Sequence, residues 1–188
     1  MPFSVTGVVN RVFVLMVVSV ILGPAAVQGY ELGDTVEDFT FPDLNGTPRT
    51  LYEHHGDIIV LNFFTTWCIY CNREAPSLEN DIWQPYRDYG VTVIGLNVRE
   101  SLEVVQDWYA DMGLTYEVLM LPNIFLPYRF PNHEGVPLNV VLDKDMVLEY
   151  SELGYDQAAI EDMLNSILGF DPFASEQKTW GGIKALFR

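Results

Sequence analysis

Apolar positions recur in patterns that predict several buried strands. The stretch DIIVLNFF, residues 57–64, is almost continuously apolar and β-branched, as expected of a strand covered on both faces. VTVIGLNV, residues 91–98, and TYEVLML, residues 115–121, predict two further strands. PLNVVLDKDMVLEYSELG, residues 137–154, predicts two strands joined by a turn at Asp143–Asp145.

Helical spacing separates these strands. Within residues 71–90, three apolar side chains recur every four positions, which predicts a helix that Pro76 and Pro85 kink or interrupt. Residues 101–113 and 156–169 predict two more helices. Each begins with a capping residue, serine or aspartate, and ends at a glycine.

The N-terminal part of this region has a different pattern. Residues 36–56 alternate apolar and polar positions on either side of Asn45-Gly46, a strong turn signal, which predicts a β-hairpin or a short strand with a turn. The expected order after this hairpin is β-α-β-α-β-β-α. It predicts an α/β fold with a mixed central β-sheet and helices on both faces.

The first residues of the chain have the layout of a secretory signal. A single basic residue, Arg11, precedes the apolar run Val12–Leu22, which is followed by a break and small residues. We therefore expect residues 1–29 to be a signal peptide cleaved after Gly29. An uncleaved N-terminal anchor is the alternative. Either way the pattern predicts export to the periplasm or the exterior of the cell envelope.

Composition limits the classes of partner. The 188-residue chain has 26 acidic and 10 basic residues, a net charge of −16, so its surface should repel nucleic acid and anionic lipid. Residues 30–169 are expected to form one domain. The tail, residues 170–188, carries three basic residues and several apolar ones. It either packs on the acidic body or serves a partner.

The chain has two cysteines, Cys68 and Cys71, and three kinds of site could use them. A structural disulfide closes almost no loop at this spacing, so it would stabilise the fold little. A structural zinc site needs four ligands, and the three histidines, His54, His55 and His133, lack finger-like spacing. The spacing is better suited to a reversible redox pair.

The predicted elements place Cys68 after a buried strand and at the start of a helix. The unsatisfied N–H groups and partial positive charge of a helix N-terminus favour a thiolate. We therefore expect Cys68 to be the exposed nucleophile of low pKa. Cys71, one turn further along the helix, would be the buried thiol that resolves a mixed disulfide.

The residues around this pair resemble a known family. ELGDTVEDFTFPDLNGTPRTLYEHHGDIIVLNFFTTWCIYCNREAPSLE resembles the start of the secreted or membrane-tethered thiol–disulfide oxidoreductases of the TlpA/ResA type, which have a thioredoxin-like fold. The resemblance extends over residues 31–168. Trp67 precedes the first cysteine, Asn62 lies in the preceding strand, and Pro76 lies in the active-site helix, as in that family.

The resemblance implies roles for four residues. GVPLNVVLD is similar to the family's GVPTTFLID, so Pro137 corresponds to a cis-proline that faces the cysteines. The backbone of Val136 would then pair with an extended substrate. Glu74 occupies the position of an acidic active-site residue that accepts a proton, although it could also be a solvated helix residue. Trp67 could be a core residue, although its place beside Cys68 favours a shield or a docking surface.

Two positions depart from the family pattern. Tyr70 stands between the cysteines where the family often has proline, and Leu138 follows Pro137 where threonine is usual. Both changes make the surroundings of the pair bulkier and more apolar. They fit a peptide or protein substrate.

The resemblance implies a thiol–disulfide oxidoreductase outside the cytoplasm, acting as a reductant and as a monomer. Its redox-active disulfide would need no cofactor or metal. Family members receive electrons from a membrane thiol relay of the CcdA or DsbD type and act on disulfide-bearing proteins such as apocytochrome c.

Two other functions remain open. A peroxiredoxin-like peroxidase would use Thr65, three residues before Cys68, but it would also need a proline where the chain has Leu61 and an arginine near the cysteine, where only Arg73 is available. A non-catalytic binding module is the other alternative, and it commonly loses one cysteine.

Overall fold

A computed structural model of the chain describes residues 29–173. The predicted signal, apart from Gly29, and most of the predicted tail lie outside the described residues. Within residues 29–173, no helix combines the length and apolar character that crossing a membrane would require. The described region is built on one five-stranded sheet and a separate two-stranded hairpin.

The strands and helices follow the predicted order closely. The strands are β1 (Thr40–Pro42), β2 (Pro48–Thr50), β3 (Ile58–Phe64), β4 (Val91–Val98), β5 (Glu117–Leu121), β6 (Leu138–Leu142) and β7 (Leu148–Leu153). The α-helices are α1 (Ile69–Ser77), α2 (Gln84–Tyr86), α3 (Leu102–Met112) and α4 (Gln157–Leu168). A π-helix (Leu78–Trp83) and short 3₁₀ helices (Leu51–His54, Arg87–Tyr89, Pro127–Arg129) complete the set.

The central sheet is mixed, as predicted, with the strand order β5-β4-β3-β6-β7. Strands β3, β4 and β5 are parallel, whereas β6 runs antiparallel to both β3 and β7. All five strands predicted individually are present, but the expected order β-α-β-α-β-β-α counts only four of them, since β5, β6 and β7 all lie between α3 and α4. The N-terminal hairpin is confirmed, and its turn is held by Asp43 Oδ1, which accepts from the N–H of Asn45 at 2.7 Å.

The longer α-helices pack on one face of the sheet rather than on both. Residues of α1, α3 and α4 share one hydrophobic cluster. The steps from β3 to β4 and from β4 to β5 go in the same direction, and right-handed crossovers therefore place α1 and α3 on the same side. The other face of the sheet is covered by the N-terminal segment, through Tyr30 and Val36, and by residues at the ends of two 3₁₀ helices, Leu51 and Phe130.

The helical segment that carries the cysteines continues past its first proline. Pro76 has no N–H to donate within the helix, and the chain changes from α1 to the π-helix two residues later. Pro85 falls at the start of α2, where proline is tolerated. The segment ends at Gly90, whose φ of 78° is left-handed, as the sequence predicts.

Candidate active site

The cysteine pair lies at the junction of β3 and α1. Cys68 and Cys71 form a disulfide, and their Cα atoms are 5.2 Å apart. Cys68 is the N-cap of α1, and its Sγ accepts a hydrogen bond from the Cys71 N–H at 3.2 Å. This N–H would also stabilise a thiolate at Cys68, since negative charge is favoured at a helix N-terminus.

The exposure of Cys68 differs from expectation. Cys68 is only 6% exposed and Cys71 is 2% exposed, so both are buried in the oxidised form. Cys68 Sγ lies 3.6 Å from the carbonyl oxygen of Val136, which helps to cover it. Describing Cys68 as exposed is therefore wrong for this state, although it is the more accessible of the two sulfurs.

The Val136–Pro137 segment lies beside the disulfide. The peptide bond between these residues is cis, in agreement with the family's loop. Pro137 accepts a hydrogen bond at its carbonyl from the Gly154 N–H at 2.7 Å, which ties the loop to the end of β7. The segment thereby presents the Val136 backbone at Cys68.

Glu74 is buried, not solvated. It is 3% exposed, and it lies three residues after Cys71 on the same helix, a spacing that places both on one face. Its Oε1 accepts from Asn62 Nδ2 and, at 3.1 Å, from Asn139 Nδ2. Its Oε2 is buried and has no hydrogen-bond partner within residues 29–173.

The two asparagines are brought together by the register of the sheet. Asn62 of β3 pairs directly with Asn139 of β6, and Asn62 Nδ2 also donates to Asn139 Oδ1 at 3.0 Å. Asn139 Nδ2 donates in addition to the carbonyl oxygen of Gly154 at 2.8 Å. The two amides therefore form a fixed polar cluster under the Glu74 carboxyl.

This environment changes the acidity of Glu74. Burial raises the pKa of its carboxyl to about 8, while the hydrogen bonds from Asn139 and Asn62 act in the opposite direction. Because Oε1 is occupied by two donors, the proton of the neutral acid belongs on Oε2. Glu74 is thus a carboxyl that can exchange a proton near neutral pH, one turn from the cysteine pair.

The loop before Cys68 is held by a second carboxylate. Glu100 accepts from the Thr66 N–H at 2.7 Å and from the Thr66 hydroxyl at 2.6 Å. Asn97 Nδ2 also donates to Glu100, at 2.7 Å. These bonds connect the loop to the end of β4 and fix the approach of the chain to the helix start.

Exposed aromatic and apolar side chains surround the buried disulfide. Trp67 is 75% exposed, and Ile69 and Tyr70 are also exposed. A groove of about 550 Å³, which we name the Glu74 groove, runs past Tyr70. It is lined by Tyr70, Arg73, Glu74, Gly135, Val136, Pro137, Leu153, Gly154 and Tyr155. Exposed apolar side chains that cluster in this way are typical of surfaces that contact another chain.

The features expected of a peroxidase are not brought together. Arg73 is exposed, and its guanidinium lies over the Tyr70 ring, 5.9 Å from its centroid. Leu61 is buried within β3. Thr65 is buried three residues before Cys68, and its hydroxyl has no partner within the described region.

Two of the three histidines contact neighbouring groups rather than the cysteines. His54 lies in a 3₁₀ helix, and its Nε2 is 2.9 Å from Glu117 Oε2. His133 is partly buried, with Nδ1 2.7 Å from the carbonyl oxygen of Phe130. Neither imidazole contacts the cysteines.

The chain matches a known protein family and several individual relatives. The AhpC/TSA family model matches residues 32–151. The chain is 34% identical over 89 residues to thiol-disulfide oxidoreductase ResA of Geobacillus kaustophilus, covering 47% of this chain and 51% of that protein. It is 30% identical to the ResA of Bacillus cereus strain ATCC 10987 over 62% of this chain and 79% of that protein.

A solved structure shows the same architecture. A DsbF homologue from Corynebacterium diphtheriae superposes with a TM-score of 0.65 at 26% identity, covering 71% of this chain and 87% of that chain. The match to the Geobacillus relative spans about half of that protein's length.

The fold and the site define a thioredoxin-fold protein with a cysteine pair at a helix N-terminus. Within that class, the chain belongs to the AhpC/TSA family and is similar to the ResA thiol-disulfide oxidoreductases.

Proposed function

We propose that this protein exchanges disulfides with protein substrates outside the cytoplasm, and that it acts as a reductant. The observation that carries the proposal is the Cys68–Cys71 disulfide at a helix N-terminus, beside a buried Glu74. No cofactor other than this disulfide is invoked. The apolar run Val12–Leu22 supports export, and a membrane thiol relay of the CcdA or DsbD type is the electron donor we propose.

The proposed reaction has two exchange steps. The Cys68 thiolate attacks one sulfur of a substrate disulfide, and the other substrate sulfur leaves as a thiolate. The Cys71 thiolate then attacks Cys68 Sγ and releases the remaining substrate sulfur. Two electrons pass to the substrate, and the Cys68–Cys71 disulfide is formed.

Glu74 has a defined part in this sequence. Cys71 must lose its proton before it attacks, and a carboxylate one turn along the same helix face is placed to accept that proton. Glu74 takes up this proton as a general base and forms no bond with the substrate. Its elevated pKa, about 8, keeps it close to the acidity of a thiol.

A trapping experiment tests the proposal. Cys71→Ser protein should form a mixed disulfide with a disulfide-bearing protein such as insulin, because the resolving thiol is absent. Cys68→Ser is the matched control and should form much less. The adduct is measured by non-reducing electrophoresis and mass spectrometry. Equal trapping by both variants, or none by either, would remove the support for this function.

A further inference from the structure

The loop that leads into Cys68 is held largely by polar contacts. Trp67 lies in this loop and is exposed, so its ring does little to fix the backbone on either side of it. The Cys68 N–H donates to the Thr65 carbonyl oxygen at 3.2 Å, which closes a turn. The N–H and the hydroxyl of Thr66 are both bonded to Glu100. The remaining polar group of Thr66, its carbonyl oxygen, is held from the helix that follows.

Asn72 of α1 bonds the loop on both sides of Trp67. Its side-chain Nδ2 donates to the carbonyl oxygen of Thr66 at 3.1 Å. Its backbone N–H donates to the carbonyl oxygen of Cys68 at 3.0 Å, as the first turn of a helix requires. Asn72 is partly buried and lies one turn along α1 from the N-cap. One residue thus ties Thr66 and Cys68 to the start of the helix.

Trp108 determines how the Asn72 amide is oriented. Its indole Nε1 donates to Asn72 Oδ1 at 2.6 Å. An indole N–H can only donate and a backbone carbonyl can only accept, so the amide must present its oxygen to Trp108 and its nitrogen to Thr66. A carboxylate at position 72 would have no hydrogen to donate to Thr66. The residue type at position 72 therefore matches both of its partners.

Trp108 is itself held in place by the core. It lies on α3, and its ring stacks on that of Phe64, with centroids 4.7 Å apart and an angle of 25° between the planes. Phe64 is the last residue of β3 and is buried. A continuous series of contacts therefore runs from α3 through the Asn72 amide to the loop before Cys68.

These contacts become more important when the disulfide opens. In the oxidised protein the bond to Cys71 joins Cys68 to α1 covalently. Reduction removes that bond, so the distance between Cys68 Sγ and the Cys71 N–H, 3.2 Å in this structure, then depends on what holds the loop. A thiolate at Cys68 is stabilised by this N–H and by the partial positive charge of the helix N-terminus. A loop that moved away would lose both.

We infer that Asn72 is a positioning residue that keeps Cys68 at the N-cap of α1 after the disulfide opens, and that Trp108 supports it by orienting its amide. The inference rests on the disulfide exchange proposed above. It adds two residues that act through Cys68 rather than on the substrate.

The alkylation rate of Cys68 in the reduced protein tests this inference. The rate is followed from pH 5 to 10 at limiting reagent, with the labelled peptide identified by mass spectrometry. The curve for Asn72→Ala should be displaced to higher pH by about half a unit, which corresponds to the loss of one net hydrogen bond. Trp108→Phe keeps a ring against Phe64 but removes the N–H, so it should give a smaller displacement in the same direction. The double variant should match Asn72→Ala, because Trp108 acts through Asn72.

Trp83→Phe is the matched control. Trp83 Nε1 donates to Thr115 Oγ1 at 3.0 Å, so this variant also removes one indole hydrogen bond, at a place that does not contact the loop. It should lower stability about as much as Trp108→Phe and leave the alkylation curve unchanged.

Ionisable groups near the cysteines are the same in all of these proteins. They come from α1, from the end of β4, from the segment between β5 and β6, and from the residues after β7. These groups are Tyr70, Cys71, Arg73, Glu74, Glu100, Tyr128, His133 and Tyr155. A displaced curve therefore reports the position of Cys68 rather than the removal of a neighbouring charge.

Each outcome decides one part of the inference. Unchanged curves for both Asn72→Ala and Trp108→Phe would overturn it while leaving the exchange reaction standing. A displacement in Asn72→Ala alone would overturn the part assigned to Trp108, and Trp108→Phe decides the inference if Asn72→Ala does not fold. An equal displacement in Trp83→Phe would show a general effect of lowered stability and overturn the inference. Preferential labelling of Cys71 in the wild type would overturn both the inference and the proposed function.

Discussion

Glu74 shows how the surroundings of one side chain determine its chemistry. The family resemblance identified Glu74 as an acidic active-site residue, and its place three residues after Cys71 on α1 agrees with that assignment. Its acidity depends on burial and on the amides of Asn62 and Asn139, which come from two neighbouring strands. A sequence alone does not give the register of those strands, so this polar cluster could not be assembled from it.

A weaker signal for the cluster was nevertheless present in the sequence. Asn62 and Asn139 each interrupt an otherwise apolar strand, and both are buried. A buried polar residue requires hydrogen-bond partners, so an asparagine in such a strand indicates a site or a network. Asn62 was noted through the family resemblance, whereas Asn139 was missed.

The elevated pKa of Glu74 predicts a dependence of stability on pH. The acid has a pKa near 4.5 when unfolded and about 8 when folded, so the folded protein holds the proton more tightly. Below pH 4.5 this carboxyl is protonated in both states, so it does not make the free energy of unfolding depend on pH. Between the two values the unfolded state ionises first, and the free energy of unfolding falls as the pH rises, by at most about 5 kcal/mol.

Denaturant unfolding of the oxidised protein measures this effect. Wild type should lose more stability than Glu74→Gln between pH 5 and pH 9. Asn139→Leu removes one donor to the carboxylate, so in this variant the loss should extend to higher pH. Parallel stability curves for wild type and Glu74→Gln would mean that Glu74 ionises normally in the folded protein.

The same residue should control the reactivity of the reduced pair. The alkylation rate of Cys68 in wild type should show two apparent pKa values, because coupled groups titrate together. Glu74→Gln should flatten this pH dependence while keeping the fold. Measured at limiting reagent from pH 5 to 10, superimposable curves would assign the tuning of Cys68 to the helix N-terminus alone.

Among the elements, the loop between β3 and α1 depends on a distant anchor. Glu100 holds Thr66 through two hydrogen bonds across 34 positions of sequence, a contact that no local pattern indicates. The buried strands and helix ends, by contrast, follow from periodicity, capping residues and glycines. Elements fixed by local rules were therefore predictable, and the connections between them were not.

Removing the Glu100 charge should loosen this loop selectively. Glu100→Gln weakens the bonds to Thr66, since charged acceptors bind more strongly than neutral ones. We expect faster hydrogen exchange at the Thr66 amide and severalfold slower disulfide exchange, with global stability lowered by about 1–2 kcal/mol. Glu103→Gln changes an exposed residue in the first turn of α3 and is the matched control. It should leave hydrogen exchange at Thr66, disulfide exchange and global stability unchanged.

Those outcomes distinguish a local from a general effect. If Glu100→Gln slows disulfide exchange without changing the hydrogen-exchange rate of the Thr66 amide, the carboxylate acts on the reaction in another way. If Glu103→Gln has an equal effect, the cause is the loss of one negative charge near the site.

The segment between β5 and β6 was the least predictable part of the fold. Residues 122–137 contain three prolines before Pro137 and no long periodic pattern, so only the loop at Val136–Pro137 was identified, from the resemblance. In the structure, Phe130 from this segment covers the sheet face opposite the helices, and Tyr128 and His133 line a cavity of about 170 Å³ beside Trp67. These positions depend on tertiary contacts.

At the scale of the whole molecule, charge and site act together. The chain carries 26 acidic and 10 basic residues, and such a surface favours encounter with cationic partners. The apolar rim formed by Trp67, Ile69 and Tyr70 then provides the contact area at the disulfide. Under the proposed function, long-range charge would favour the approach of a partner, and this apolar rim would contact it.

The central claim is that Cys68 and Cys71 form a reversible redox couple with which the protein reduces its substrates. Its most direct test is the reduction potential of the native protein, measured by equilibration with dithiothreitol or glutathione buffers. The account predicts one reversible two-electron transition with a midpoint at or below about −270 mV, the value of thioredoxin. A midpoint near −120 mV, typical of a strong oxidant, or the absence of a reversible transition in the folded protein would contradict it.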